Sequence, residues 1–376
     1  MQQRAVSDEQ FIPGQQLSRL FYEDAVRPIM DRHFADLRHG AGLLGTGSDV
    51  LGFDTPRSMD HHWGPRVWLY LRESDFSQHL AAEIHRVLAD ELPFVIHGFP
   101  THFVEIDPAR HTVFMSFTDQ RPINHMVFVT TARRFFNSYL GLDPLAHELS
   151  PAEWLSMPEQ CLRTVTSGSV HRDDLDELRR AQALLRWYPH DVWLYVLAAQ
   201  WRRIEQEEAF VGRCGEVGDD LGSRVVAARL VRELMHLCLL MEQQYAPYSK
   251  WFGTAFSRLR CAPDLTPHLS AVLAAGDSHE CEQHLIPAYR KVAEMHNSLR
   301  LTPPLPTETS RFHDRPFQVL HGDVFADALR AEIHDPRVAA VRAHIGSLSQ
   351  WADSTDILSY PSWYPVLRQS VYESAR

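Results

Sequence analysis

The sequence lacks the cysteine pattern of a disulfide-rich or zinc-binding protein. Its five cysteines are odd in number and scattered, and no two of them form a Cys-x-x-Cys pair. Such spacing is typical of reduced core residues in a cytoplasmic protein. It argues against a disulfide framework and against a cysteine-bound zinc site.

Long apolar runs are also missing. No stretch approaches the roughly 20 apolar residues that a transmembrane helix needs. Residues 1–9 carry no apolar segment of the kind found in signal peptides. We therefore expect a cytoplasmic protein that does not associate with membranes.

Positive charge is in deficit. Lysine and arginine number 37 against 48 aspartate and glutamate residues, which gives a net charge of −11. This balance argues against a broad electrostatic grip on nucleic acid or on an anionic membrane, and it disfavours long nucleic acid as a partner. The remaining composition, 44% hydrophobic and 23% charged, is that of a soluble globular protein long enough for two or three domains.

The N-terminal part of the chain mixes helix and strand patterns. Apolar spacing predicts a helix over residues 15–38, interrupted near Pro28, and a second helix over 79–89. Short apolar runs predict several strands. These are Arg66–Leu71, Phe94–Ile96, His102–Ile106, Val113–Phe117 and Met126–Thr130. Residues 1–145 are therefore predicted to form an α/β or α+β domain.

The pattern becomes helical after residue 145. Long segments have helical apolar spacing, as in the stripe Leu230, Leu234 and Leu237. The predicted helices cover 173–187, 192–210, 221–244, 248–259 and 282–299. Residues 146–300 are predicted to form a helical bundle domain. Residues 301–376 are predicted to be an extension with a proline-rich linker at 302–307, a strand at 316–320 and a helix at 323–334.

One segment carries the residues that nucleotidyl transfer needs. Gly47-Ser48 is followed, after eleven intervening residues, by Asp60. A glycine lets the backbone approach a triphosphate, a serine hydroxyl can donate to a phosphate oxygen, and a carboxylate can hold Mg²⁺. The alternative is a tight turn followed by an aspartate that caps a local structure.

The longer string Gly-Ser-Asp-Val-Leu-Gly-Phe-Asp, followed by Asp-His-His-Trp-Gly-Pro-Arg at residues 60–66, resembles an uncharacterised bacterial family. This is a domain-of-unknown-function family within the DNA polymerase β-like nucleotidyltransferase superfamily. The resemblance extends to the helical part at 245–252 and to 315–317. It implies an α+β fold in which a nucleotidyltransferase-like mixed sheet with helices is followed by a helical bundle.

The resemblance also implies a metal site, and here the sequence departs from the superfamily pattern. Two acids normally stand two residues apart, but His62 occupies the second position after Asp60. Imidazole is a poorer ligand than carboxylate for Mg²⁺, and Mn²⁺ would tolerate it better. Asp60 and His62 are the predicted metal ligands. Glu105 is the candidate third acid, and an ordinary strand residue facing solvent is the alternative.

Two cations are candidates for contact with the nucleotide. Arg66 can reach a phosphate from the start of its strand, or it can pair structurally with Asp54 or Asp60. Lys250 stands among aromatic residues of the helical part, where related enzymes close over the nucleotide. It would neutralise phosphate charge, unless it is only a lysine on a helix surface.

Three functions compete. The first is an enzyme that moves a nucleoside monophosphate from an NTP to a small-molecule hydroxyl or amine acceptor, with Mg²⁺ or Mn²⁺. The second is a catalytically impaired protein of the same fold that binds a nucleotide or a partner, which His62 favours. The third is a transition-metal hydrolase in which other histidines join Asp60 as ligands. Those histidines would be His61, His62, His97 and His102.

Overall fold

A computed structural model describes residues 11–107, 112–341 and 345–373 of the chain. These residues fold as two compact units. The first comprises the described residues up to Glu148 together with Cys161–Arg186, and the second comprises Leu149–Gln160 and the described residues from Trp187 onward. The chain thus leaves the first unit and returns to it once.

The first part of the chain holds most of the strands. Its helices are α1 (Gly14–Phe21), α2 (Arg27–His33), α3 (Gln78–Glu91) and α4 (Ala132–Leu140), with a π-helical turn, Tyr22–Val26, between α1 and α2. Its strands are β1 (His39–Leu43), β2 (Arg66–Leu71), β3 (Val95–Ile96), β4 (Phe99–Pro100), β5 (His102–Asp107), β6 (Thr112–Ser116) and β7 (Met126–Thr131).

The second part is mainly helical. It contains α5 (Pro151–Ser156), α6 (Glu159–Ser167), β8 (Ser169–Asp173), α7 (Glu177–Leu184), α8 (His190–Glu208), α9 (Phe210–Glu216), α10 (Asp220–Met241), α11 (Ser249–Ser257), α12 (Ala262–Ala274) and α13 (Ser278–Leu299). Two short strands follow, β9 (Ser310–Arg311) and β10 (Gln318–Val319), then α14 (Gly322–Ala331), α15 (Pro336–Ala339), α16 (Leu348–Trp351), α17 (Thr355–Ser359) and α18 (Tyr364–Leu367). The mixed α+β class predicted from the sequence is confirmed.

A four-stranded mixed sheet, in the order β7-β2-β1-β8, organises the first unit. β1 is antiparallel to both β2 and β8, whereas β2 and β7 are parallel and joined by the crossover helix α3. Consequently β1 ends where β2, β7 and β8 begin. The edge marked by Leu43, Arg66, Met126 and Ser169 is called the Leu43 edge below.

Apart from Arg66 at its start, strand β2 is apolar, because both faces of the sheet are covered. Val67 and Leu69 belong to the core formed with α3 and the helices at the N-terminus of the unit. Trp68 and Tyr70 point the other way and pack against Phe135 of α4, with ring centroids 5.4 Å apart in each pair. The predicted strand and β2 have the same bounds.

Strands β1 and β8 were not predicted. β1 has the sequence His-Gly-Ala-Gly-Leu, and glycine disfavours strands. The structure shows why glycine is needed: a Cβ on Gly42 would lie 2.6 Å from the Ser169 carbonyl oxygen of β8. β8 is polar and half-buried, so its sequence gives no apolar signal.

Other boundaries also differ from the sequence patterns. The helix predicted over 15–38 ends at His33, since Phe34 leaves helical geometry. The helix predicted over 173–187 shortens to α7, because Asp173 still belongs to β8. The strand predicted at 316–320 forms only the two residues of β10.

The second unit is built on long helices, as the sequence predicted for this region. The predicted stripe Leu230, Leu234 and Leu237 of α10 is fully buried. Helix α14 packs on α8, where the rings of Trp201 and Phe325 stack with centroids 4.3 Å apart. Among the helices of the described residues, none has the length and apolar character that crossing a bilayer requires.

Candidate functional site

The Gly47-Ser48 turn follows β1 directly at the Leu43 edge. Its backbone folds back on itself, with the Leu51 amide donating to the Gly47 carbonyl at 3.3 Å and the Phe53 amide donating to the Ser48 carbonyl at 2.8 Å. Gly47 has φ of +141°, which side-chain-bearing residues rarely adopt. Ser48 is half-buried at the surface of this turn.

A buried ion pair lies beneath the turn. Arg66, the first residue of β2, donates from Nε to Oδ2 of Asp49 at 3.1 Å and from Nη2 to Oδ1 at 2.7 Å. Nη2 also donates to the Thr46 carbonyl at 3.0 Å. Arg66 therefore pairs with Asp49, and neither of the two structural partners proposed from the sequence, Asp54 and Asp60, takes that place.

A second acid, Asp54, links separate parts of the segment by hydrogen bonds. Oδ2 of Asp54 accepts from the indole Nε1 of Trp63 at 3.1 Å and from the backbone amide of Gly14, at the start of α1, at 2.7 Å. Trp63 is buried against Phe99. The acidic residues of the string therefore join its first half to its second half.

Asp60 and the two following histidines form an exposed turn just before β2. Nδ1 of His61 lies 3.5 Å from Oδ1 of Asp60. His62 adopts a left-handed conformation with φ of +59°. Burial lowers the pKa of His62, and the nearby His61 and Arg66 lower it further, while Asp60 opposes them. His62 therefore favours the neutral imidazole that can ligate a metal.

The third predicted acid lies on the hairpin next to this turn. The backbone amide of His62 donates to the Val113 carbonyl of β6 at 2.9 Å. Val113 is the register partner of Glu105 on β5. Glu105 itself is exposed. The fold thus places Asp60, His62 and Glu105 in adjoining segments, a proximity that strand assignment alone did not give.

Lys250 lies in the second unit, near the start of α11. Its side chain is exposed, and Nζ is 5.0 Å from the ring centroid of Trp251. Such a cation–π contact is compatible with a surface lysine. The predicted nucleotide-binding role of Lys250 stays a prediction.

Two of the four histidines of the hydrolase hypothesis, His97 and His102, have partners away from Asp60. His97 Nε2 lies 2.7 Å from Oδ2 of Asp24, and Nδ1 of His102 accepts the Asn124 amide at 2.9 Å. Within the described ranges, no group of three or more histidine, cysteine, aspartate or glutamate side chains is arranged to hold a metal ion. The assignment of Asp60 and His62 as metal ligands stays a prediction.

Sequence reasoning missed the structural importance of Asp49 and Asp54. A signal was present, because the two acids lie between a Gly-Ser turn and a Trp-x-x-Arg sequence that supplies their partners. From the sequence alone, Asp54 is considered only as a partner of Arg66, and Asp49 is not considered.

The comparisons with known proteins bear on the helical part. Residues 154–252 match the family model described as Domain of unknown function (DUF4037). This agrees with the expectation of an uncharacterised domain-of-unknown-function family. No curated protein matches the chain. The resemblance of residues 43–66 to nucleotidyltransferases stays a prediction.

Proposed function

We propose that the protein is a metal-dependent nucleotidyltransferase that moves a nucleoside monophosphate from an NTP to a hydroxyl or amine of a small molecule. In this proposal Gly47 and Ser48 hold the triphosphate. Asp60, His62 and Glu105 are the proposed catalytic residues. The net charge of −11 favours a small acceptor over long nucleic acid.

One observation carries the proposal. The Gly47-Ser48 turn leaves β1 and the Asp60–His62 turn enters β2 at the same edge of an antiparallel strand pair. A phosphate-holding turn and a metal-binding turn must be neighbours for in-line transfer at phosphorus. The ion pair between Asp49 and Arg66 joins the Gly47-Ser48 turn to the start of β2, the strand that the Asp60–His62 turn precedes.

Different residues at the Leu43 edge are proposed to bind the phosphates and the metal ion. The Ser48 hydroxyl and the backbone amides of the turn can donate hydrogen bonds to phosphate oxygens. Asp60 and His62 would hold Mg²⁺ or Mn²⁺. When bound, the ion neutralises charge on the phosphates during transfer. Because only one of the two is a carboxylate, we expect Mn²⁺ to support more activity than Mg²⁺.

The test is turnover by the full chain. Each of the four NTPs is supplied with Mg²⁺ or Mn²⁺ and a metabolite extract, and pyrophosphate release and label transfer are measured. We expect activity in the wild-type protein and a loss of about 100-fold or more in Asp60→Asn, because the only carboxylate of the pair is neutralised.

Asp36→Asn is the matched control. Asp36 is equally exposed, lies in the same unit and precedes β1, at the opposite edge of the sheet. The activity of the Asp36→Asn variant should equal that of the wild type. Equal loss in both variants, or turnover that survives Asp60→Asn, would refute the assignment. Tight NTP binding without turnover would instead identify a catalytically impaired nucleotide-binding protein, the alternative that His62 favours.

A further inference from the structure

The side chain of Arg66 is already engaged. Arg66 is 7% exposed as a whole residue, and Asp49, which is 2% exposed, accepts hydrogen bonds from two of its N–H groups in a side-on pair. A third hydrogen bond goes to the backbone of Thr46. A bidentate arginine–carboxylate pair of this kind has a fixed geometry.

The Gly47-Ser48 turn lies directly on this pair. A Cβ at Gly47 would be 2.1 Å from Oδ1 of Asp49 and 2.4 Å from Nη2 of Arg66. Oδ1 of Asp49 also accepts the Val50 amide at 3.0 Å. The pair therefore determines both how close the turn comes to β2 and how its amides are oriented.

We infer that Arg66 is a positioning residue that acts through Asp49 to hold the Gly47-Ser48 turn beside Asp60 and His62, and that it is not a ligand of the phosphate. The inference rests on the proposed function for the identity of the ligand. It replaces the role that the sequence suggested for Arg66, because the charge of the guanidinium is matched inside the protein.

Asp49→Asn separates the two roles. If Arg66 binds phosphate, neutralising Asp49 releases the guanidinium, and NTP affinity stays equal or rises. If Arg66 positions the turn, Asp49→Asn and an Arg66 variant impair the same element, and both weaken NTP binding by about 10- to 100-fold. Affinity for each NTP with Mn²⁺ is measured by calorimetry on the full chain.

Arg66→Lys is the second variant, and it serves if Asp49→Asn does not fold. Lysine keeps the positive charge that a phosphate needs but cannot form the two-point pair. Positioning predicts that Arg66→Lys binds NTP as weakly as Asp49→Asn and also loosens the turn, whereas a phosphate ligand predicts weaker binding in Arg66→Lys with the turn unchanged. Arg172→Lys is the control, since Arg172 pairs with Asp174 at the opposite edge of the same sheet, Nε to Oδ2 at 2.8 Å.

Hydrogen exchange gives a readout that needs no nucleotide. In Asp49→Asn and Arg66→Lys, amides of the turn at Val50, Leu51 and Phe53 should exchange at least tenfold faster, while those of α3 keep their wild-type rates. Arg172→Lys should leave the turn unchanged. If the wild type binds no NTP, the proposed function fails but this result still supports the positioning role. Unchanged exchange in the turn would overturn it, as would NTP affinity retained in Asp49→Asn.

Discussion

At the scale of single residues, the hydrogen-bond partners of a side chain decide whether it is available to bind a ligand, more than its residue type does. Asp49, Asp54 and Arg66 would each suit a metal or phosphate site, yet each binds another part of the protein. Asp60, His61 and Ser48 remain at the surface, where a ligand can reach them. Fewer side chains of this segment are therefore available to bind a ligand than the sequence suggested.

The helical unit contains a buried acid whose removal should be costly. Glu159 is fully buried, with Oε1 3.0 Å from Nε2 of His236 and Oε2 accepting the Ala246 amide at 2.8 Å. Glu159→Ala leaves both partners unsatisfied and should lower the free energy of unfolding by about 3 kcal/mol or more. Urea denaturation measures the change.

Glu308→Ala provides the comparison for that loss. Glu308 is an exposed acid of the same unit, paired with Arg290 at 2.6 Å. Exposed pairs of this type contribute about 1 kcal/mol or less. Equal destabilisation by the two substitutions would show that burial of Glu159 does not determine its contribution. Glu159 and its two partners, His236 and Ala246, lie within the segment that matches the DUF4037 model.

At the scale of elements, one helix end is capped from another helix. Glu208, in the last turn of α8, accepts the backbone amides of Leu320, His321 and Gly322 at 2.7, 3.2 and 3.2 Å. These amides stand at the start of α14, where a helix leaves its N–H groups unpaired and favours negative charge. Glu208 thus joins α14 to α8.

This cap should make stability depend on pH. Burial raises the pKa of Glu208 from 4.5 to about 7, although its three backbone hydrogen bonds act in the opposite direction. Between these values the folded protein holds a proton that the unfolded chain has lost, so stability falls as pH rises from about 4.5 to 7. A shift of this size corresponds to about 3 kcal/mol.

Glu208→Gln removes this titration. The wild type should therefore lose about 3 kcal/mol more unfolding free energy between pH 4.5 and pH 8 than the variant does. The measurement is denaturant unfolding at both pH values, with Glu294→Gln, an exposed site on α13, as the control. Identical pH dependence in wild type and Glu208→Gln would contradict the assignment.

Sequence patterns predicted some elements well and others not at all, for physical reasons. The apolar run of β2 and the spaced leucines of α10 predicted a strand and a helix correctly, because burial dictates their residue types. β1 and β8 were missed because close strand approach demands glycine at Gly42 and because β8 is polar. Pairing across the sheet is a long-range property, and it places the two turns of the site at the same edge.

At the scale of the whole molecule, the chain divides into two compact units. The first unit carries the Leu43 edge with the candidate site, and the second carries the helical bundle with Lys250. The family match covers residues of both units. The sequence predicted the α+β class with a helical part, whereas the return of residues 161–186 to the first unit needed the structure, because β8 gives no apolar pattern.

If a nucleoside triphosphate binds at the Leu43 edge, as proposed, a hydrogen-exchange footprint of the full chain will detect it there. Each NTP is added with Mn²⁺, and exchange is compared with that of the protein without nucleotide. We expect at least one NTP to slow exchange in peptides covering 45–53 and 60–63 and to leave exchange at 34–38, at the opposite edge, unchanged. Absence of protection with all four NTPs, or protection confined to other segments, would contradict the proposed binding.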